Sequence, residues 1–270
     1  MTMKAPAGID ESDVAWPLRA TMIALEDIDS SSDHAARLAR EGPLQPPFIV
    51  WARRQTRGRG QRDNQWWSDS GSLTFTLALD PIVHGLRREH EPRLALTTAV
   101  AVIDALHRLD LAPPGLGVRW PNDLEVSGRK LGGILPEPIE TALGRRVLLG
   151  VGLNLTSRFD QAPAEVQSLA TSLEASLEHG LEANLPQRLL REILGRLELA
   201  LPMLARDDFS LAARWRSLDL LLDQWITVER EGTSIEGLCR GIGDDGALKI
   251  EGPRGVIHLL AGRVIRKQRP

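Results

Sequence analysis

Cysteine is almost missing from this 270-residue chain: Cys239 stands alone. One thiol closes no internal disulfide and builds no thiolate metal site, and such usage fits a reducing, cytoplasmic location. Cys239 itself reads as a small buried apolar residue. No run of about 18 apolar residues occurs, so no helical membrane span is expected. The N-terminal MTMKAPAGIDESDVAW is acidic and lacks the apolar stretch of a signal peptide. The six histidines (34, 84, 90, 107, 179 and 258) show no HExxH or comparable spacing, which argues against a structural zinc site. Lysine is scarce as well. Of 33 basic residues four are Lys (Lys4, Lys130, Lys249, Lys267) and the other 29 are Arg. Codon bias explains most of that skew. The two cations are not interchangeable, however, so a lysine inside a dense motif draws attention. Against 36 acidic residues the net charge is -3, which leaves no overall basic footprint for nucleic acid.

What remains is ordinary globular composition, 42% apolar and 26% charged, neither disordered nor collagen-like. The length suits one large domain, or one domain with a small module. Residues 1–20 read as a tail. TMIALEDID then reads as a strand, and Ser30-Ser31-Ser32-Asp33 caps a helix over DHAARLAREG that ends at Gly42-Pro43. FIVWARR and SLTFTLALD are predicted strands, separated by the long polar loop QTRGRGQRDNQWWSDSG at 55–71. PRLALTTAVAVIDALHRL has helical spacing. GVRWP is a strand stopped by Pro121, VSGRK a hairpin turn, and LGGILPEPIE and RRVLLGVGLNL two further strands, the second central. After a loop at 156–170, TSLEASLE, PQRLLREILGRLELALPML and DFSLAARWRSL are expected helices. From Trp225 onward short strands at regular spacing predict a small all-β module that docks on the rest.

Four segments carry candidate chemistry. In GRGQRDNQWWS, Gly58 and Gly60 let the backbone turn with exposed N–H groups, Arg59 and Arg62 can neutralise phosphate or carboxylate, and Trp66 and Trp67 offer flat apolar surface. A basic surface loop with one anchored Trp is the plainer alternative. In RWPNDLEVSGRKLGGI, Asn122 and Asp123 place an amide and a carboxylate at a strand end, where an ordinary Asx turn is the competing account. Lys130 follows, and Gly132 and Gly133 suggest a close approach of ligand to backbone. In GVGLN the glycines again make room and Asn154 offers an amide, unless they serve only helix–sheet packing. The serine run at 30–32 is either a helix cap or a cluster of ligand-facing hydroxyls.

Taken together and in this order, the segments resemble the biotin protein ligases (biotin–acetyl-CoA-carboxylase ligases) over about residues 21–268. The pair RWPNDL and GRKLGGIL is the most specific part of the resemblance. It implies an α+β fold: a mixed sheet with helices mainly on one face, as in the class II synthetase-like catalytic core, at 21–222. A small C-terminal SH3-like β-barrel would follow at 223–270. It implies an enzyme that makes biotinyl-5′-AMP from biotin and MgATP, then transfers biotin to a lysine of a biotin carboxyl carrier domain of the acetyl-CoA carboxylase type. By the same resemblance Arg59, Lys130 and Asp123 would be catalytic. Ser30, Ser31, Ser32, Gln55, Arg59, Gly60, Gln61, Lys130, Gly133 and Gly152 would bind biotin. Gly58, Arg59, Arg62, Trp66, Asn122 and Asn154 would bind ATP or adenylate. Asp123 would either help hold Mg²⁺ or assist attack by the acceptor lysine, whose free pKa of about 10.4 requires it to lose a proton first.

The chain departs from the family pattern in three places. Ser30-Ser31-Ser32 stands for Ser-Thr-Asn, Arg119 for Lys, and Gln61 for the second Arg of Gly-Arg-Gly-Arg, which leaves Arg62 as the substitute charge. Only about 20 residues precede the ligase-like region, too few for a winged-helix domain, so a monofunctional enzyme without operator DNA binding is expected; the lack of a long apolar run leaves no membrane partner expected either. Whether it is a monomer or a homodimer stays open. A lipoate-attaching enzyme would share the fold, but its RRxSGGG-type signature is absent. A non-catalytic binder of biotinyl adenylate is the other alternative.

Overall fold

The computed structural model describes residues 15–42, 44–62, 64–177 and 180–265. Residues 1–14 of the expected tail, with Lys4, lie outside that range, as do His179 and Lys267. Residues 15–20 are not tail-like: Leu18 is buried in a short 3-10 turn, Pro17–Arg19, and Trp16 packs on the core.

The catalytic-type region opens with β1 (Thr21–Ile28), α1 (Ser31–Glu41) and β2 (Phe48–Gln55). The α1 helix starts where the sequence places a cap. The Ser30 hydroxyl accepts the Asp33 N–H at 3.3 Å, and Gly42 closes the helix with φ 74° in the left-handed region. The long polar loop folds back as a minimal hairpin, β3 (Gly58–Arg59) and β4 (Gln65–Trp66), before β5 (Ser72–Leu79). Then come α2 (Leu94–Arg108), β6 (Leu116–Arg119), β7 (Asp123–Val126), β8 (Arg129–Thr141) and β9 (Gly144–Asn154).

One seven-stranded sheet runs β1-β2-β5-β9-β8-β7-β6. Only β1 and β2 pair in parallel; the other neighbours are antiparallel, so the sheet is mixed. The strand RRVLLGVGLN is β9 and lies fourth of seven, as its unbroken apolar run implied. Alternation sorts its side chains: Val147, Leu149, Val151 and Leu153 join the main core, while Leu148 packs on the opposite side with α1.

After β9 come α3 (Ala164–Leu169), α4 (Leu185–Ala205) and α5 (Phe209–Ser217). Helices α2 and α4 pack together on the main-core face, and α1 alone covers part of the other. Burying each large apolar side chain of that core, such as Phe75 or Leu77, contributes on the order of 1.5–3 kcal/mol.

One predicted helix is absent. TSLEASLE forms only a 3-10 turn, Glu174–Ser176, and its eighth residue lies outside the described range. The reason is local. The N–H groups of Thr171, Leu173 and Glu174 donate to the carbonyls of Lys130, Asn154 and Leu155 at 2.8–2.9 Å. The segment is thus laid along the ends of β8 and β9, and its donors are not free to coil. The loop before it, in turn, holds the short helix α3 that was not expected.

The C-terminal strands β10 (Trp225–Arg230), β11 (Thr233–Ile242), β12 (Leu248–Gly252), β13 (Gly255–Leu259) and β14 (Arg263–Ile265) form an antiparallel sheet, β13-β12-β11-β10-β14. Its outer strands β13 and β14 do not pair among the described residues, so it is an open sheet rather than the closed barrel expected. It docks as the sequence suggested. The Trp120 indole donates to the Gly246 carbonyl at 3.0 Å and the Trp215 indole to Gly243 at 3.2 Å. Leu248, Ile250 and Cys239 join the main core. Burial pushes the Cys239 thiol up to about 11, so it behaves as a small apolar residue and not as a nucleophile.

Candidate active site

The sheet face opposite α2 and α4 carries a cavity of about 440 Å³. Its floor follows from strand register. Thr74, Gly152 and Gly133 stand in one row across β5, β9 and β8, and Thr76, Gly150 and Leu135 in the next. Phe75, Val151 and Ile134 form the row between them, with core-facing side chains. The glycines keep this floor low because neighbours occupy the space above them. A Cβ on Gly152 would lie 2.5 Å from the Trp66 ring, and one on Gly150 would lie 3.0 Å from the Ser32 hydroxyl.

At the α1 end stands a compact cluster of hydroxyls and an amide. The Ser31 N–H donates to Gln55 Oε1 at 2.6 Å. The Ser31 and Ser32 hydroxyls lie 2.8 and 3.2 Å from that of Thr76, which is fully buried. Sequence reasoning missed Thr76 and Thr74; the hydroxyls at alternate positions of SLTFTLAL were the available signal. Ser30 departs from its expected biotin contact. Its hydroxyl serves the helix cap, and it does not line the cavity. The two readings of the serine run thus divide between Ser30 and its neighbours.

At the other end the Lys130 ammonium sits 2.6 Å from Asp123 Oδ1 and 5.9 Å from the centre of the Trp66 ring. Gly133 leaves room for this pair, since a Cβ there would come within 3.4 Å of Lys130 Nζ. Asn122 lines the cavity, but its Nδ2 donates to the Ile134 carbonyl at 2.6 Å, so its amide first holds β7 to β8. Asn154 Nδ2 donates to Thr171 O at 3.1 Å, while its buried Oδ1 has no partner in the structure. The buried indole nitrogens of Trp66 and Trp67 are likewise unpartnered. Three unpaired polar atoms in one cavity leave hydrogen-bonding capacity for a polar ligand.

The glycine loop forms a third wall. Gly58 does not line the cavity as expected; it makes room for the hairpin, because a Cβ there would meet the Trp66 carbonyl at 2.6 Å. The Gly60 N–H donates to Asn64 O at 2.8 Å, and Gly60, Gln61 and Arg62 all line the cavity, Arg62 with φ 58°. Arg59 also reaches the lining, but its guanidinium is engaged by Asp33 and Glu137. Burial works against the Arg59 charge, and the two carboxylates outweigh it and raise its pKa. Burial raises that of Glu137, against the pull of Arg59. The remaining rim comes from Phe159, Val166 and Leu169, around α3, and from Gly262, Arg263 and Val264 of the C-terminal sheet. Arg119 ties that sheet down by donating to Val264 O at 3.3 Å.

The donor set does not form a protein-held magnesium site. Asp123 already binds an ammonium, and the other lining carboxylate, Glu165, is exposed. A second cation on Asp123 would meet Lys130, so the metal role expected of Asp123 fits poorly; magnesium suits this cavity as part of MgATP, held by its phosphates. Among the described residues one other trio, Glu89, His90 and Asp207, brings ligand-type atoms together, and none of the three lines the cavity. His90 Nδ1 accepts the Arg87 N–H, which leaves the proton on Nε2 and removes it as a metal ligand.

A profile of the Biotin/lipoate A/B protein ligase family matches residues 26–154. The chain is 32% identical over 239 residues to the Biotin–[acetyl-CoA-carboxylase] ligase of Mycobacterium tuberculosis, covering 87% of this chain and 85% of that one. It is 30% identical to the protein of the same name from Paracoccus denitrificans, over 84% of this chain and 92% of the other. A biotin protein ligase from Aquifex aeolicus, solved in complex with biotin and ATP, superposes with a TM-score of 0.76 at 25% identity, covering 92% of this chain and 99% of its own.

Proposed function

The chain belongs to the biotin–[acetyl-CoA-carboxylase] ligases, and from that premise we propose how its own residues carry the reaction. The enzyme activates biotin with MgATP: the biotin carboxylate attacks the α-phosphate, the bond to the β-phosphate breaks, and biotinyl-5′-AMP and pyrophosphate form. The biotinyl group then passes to a lysine amine of a biotin carboxyl carrier domain, and AMP leaves.

The ureido ring of biotin, with one carbonyl and two N–H groups, belongs against Ser31, Ser32, Gln55 and Thr76. Hydroxyls there can donate or accept as needed. A buried polar end of this kind discriminates strongly against ligands that lack those groups. The apolar part of biotin lies over the glycine floor beside Trp66, and its carboxylate reaches Lys130. Attack on a phosphate by a carboxylate brings two anions together, and an ammonium held at that point offsets the repulsion. Lys130 exchanges Asp123 for the substrate anions in this step. Asp123 is thereby released beside the new acyl phosphate, where it accepts a proton from the incoming acceptor amine. Gln61 and Arg62 sit where the phosphates arrive, and the unpaired Asn154 Oδ1 faces the nucleotide. Magnesium bound to ATP neutralises phosphate charge.

The observation that carries this reading is the Lys130–Asp123 pair, 2.6 Å apart, at one end of a glycine-floored cavity whose other end is a hydroxyl cluster. The test is the mass of a biotin carboxyl carrier domain after incubation with the protein, ATP and Mg²⁺. A gain of one biotinyl group with biotin, and none with lipoate, is expected. A gain with lipoate would indicate the related acyl ligase instead. Nucleotide-dependent biotin binding with no gain would indicate a binder without transfer.

A further inference from the structure

Arg59 lies between two residues that shape the pocket. Gly58 pairs with Trp66 across the β3–β4 hairpin, and Gly60 donates to Asn64. Trp66 in turn lies over Gly152 on the floor. Whatever fixes Arg59 therefore fixes the loop, the indole and the cavity shape together.

Both terminal nitrogens of Arg59 are engaged from outside the loop. Nη1 donates to Asp33 Oδ1 at 2.6 Å, from the first turn of α1, and Nη2 donates to Glu137 Oε1 on β8. These elements are anchored in the large sheet: β8 pairs along its length with β9, and α1 packs on β2, β5 and β9. One guanidinium facing two carboxylates leaves the trio with a net charge of -1, a poor receptor for phosphate. Glu137 also has an oxygen, Oε2, that is buried without a hydrogen-bond partner. A carboxylate is kept in such a place when a cation compensates it.

We propose that Arg59 is a brace rather than a phosphate contact, and that Glu137, with Asp33, is the positioning residue that holds the glycine loop and Trp66 in binding geometry. The proposal rests on the ligase reading for its substrate and replaces the part in catalysis that the sequence pattern suggested for Arg59. The loop meets biotin and adenylate through Gly60, Gln61 and Arg62, while the Arg59 side chain points its charge at the scaffold. Loss of the brace loosens the loop before substrate arrives, so it weakens binding and leaves the chemical step alone.

Two readouts on Glu137→Gln, Arg59→Gln and the double variant test this. The first is biotin-dependent exchange of pyrophosphate into ATP, resolved into kcat and KM. Each single variant is expected to raise the biotin KM by about three- to tenfold with kcat retained, a size suited to a half-exposed ion pair. The double variant is expected to be no worse than the weaker single, because both remove one interaction. The second readout needs no activity: trypsin cleavage after Arg57 and Arg62 in the ligand-free protein, expected to be several-fold faster in Glu137→Gln. Faster cleavage without any biotin-dependent exchange in the parent would keep the brace and overturn the ligase reading. Unchanged cleavage in Glu137→Gln overturns the brace, whatever the kinetics. So does a biotin KM at or below the parental value in that variant, or a loss of kcat in Arg59→Gln that multiplies with the second substitution.

Discussion

The two faces of β5 and β9 are built from alternate residues of the same two segments, yet they share almost no physical character. One face presents Leu73, Phe75, Leu77 and Leu79 with Val147, Leu149, Val151 and Leu153, all buried under α2 and α4. The other presents Ser72, Thr74 and Thr76 with Gly150, Gly152 and Asn154; of these Thr74, Gly150, Gly152 and Asn154 line the cavity, and Thr76 backs the Ser31 and Ser32 hydroxyls. The first face supplies the folding energy and tolerates no voids. The second gives up apolar burial to leave room for a ligand. A period of two lets one strand do both, so neither function needs its own element.

The comparison makes opposite demands on substitutions an odd number of residues apart on one strand. The largest effect belongs to the site face. Lys130→Arg should lower the rate of biotin adenylation by about 100-fold or more, the scale of losing one aligned charge at a developing anion, with the unfolding transition in place. Arg is the default cation in this chain, 29 against four Lys, so near-parental activity would break the argument from lysine scarcity as well. Gly152→Ala comes next. Its methyl would stand 2.5 Å from the rigid Trp66 ring, and the biotin KM should rise about tenfold or more. Leu149→Ala, three positions back and on the core face, should do the reverse. It should lose about 2–5 kcal/mol of unfolding free energy in a denaturant titration, with the KM of the folded fraction unchanged. If Gly152→Ala chiefly destabilises, or Leu149→Ala chiefly raises KM, the division of labour between faces is wrong.

The smallest effect concerns a polar group buried away from the site face. Asp219 sits where the large sheet meets the C-terminal strands, bridged to Val118, and burial raises its carboxyl from 3.8 to about 6. The folded protein then holds a proton that the unfolded chain releases, so stability falls as pH rises from about 4 to about 6 and is level above that. Asp219→Asn keeps an acceptor for the Leu221 N–H and has no proton to lose. Its stability relative to the parent should grow by about 1–2 kcal/mol over that window, below the full value of the shift because the residue is partly exposed. Parallel pH profiles for the two proteins would contradict this.

How much of this was legible in sequence follows from the same alternation. The strands, the capped start of α1 and the central place of β9 could be read from local pattern. So could the Lys130–Asp123 neighbourhood, because its residues lie within one short motif. Thr74 and Thr76 were hidden because a strand pattern does not say which face meets a ligand. Asp33 and Glu137 were hidden because they converge on Arg59 only once α1 and β8 share a sheet face. The helix expected over TSLEASLE failed for a related reason. Its local preference is helical, but tertiary hydrogen bonds from Thr171, Leu173 and Glu174 to the strand ends outweigh it. Ser30 went the other way: the local capping signal, and not the ligand, uses its hydroxyl.

The most direct test of the central claim is pyrophosphate exchange into ATP by the unmodified protein with Mg²⁺, in the presence of biotin, of lipoate, or of neither. Exchange that requires biotin and is not supported by lipoate is the predicted result. Exchange independent of biotin, exchange supported equally by lipoate, or none under any condition would contradict the assignment of the glycine-floored face to biotin activation.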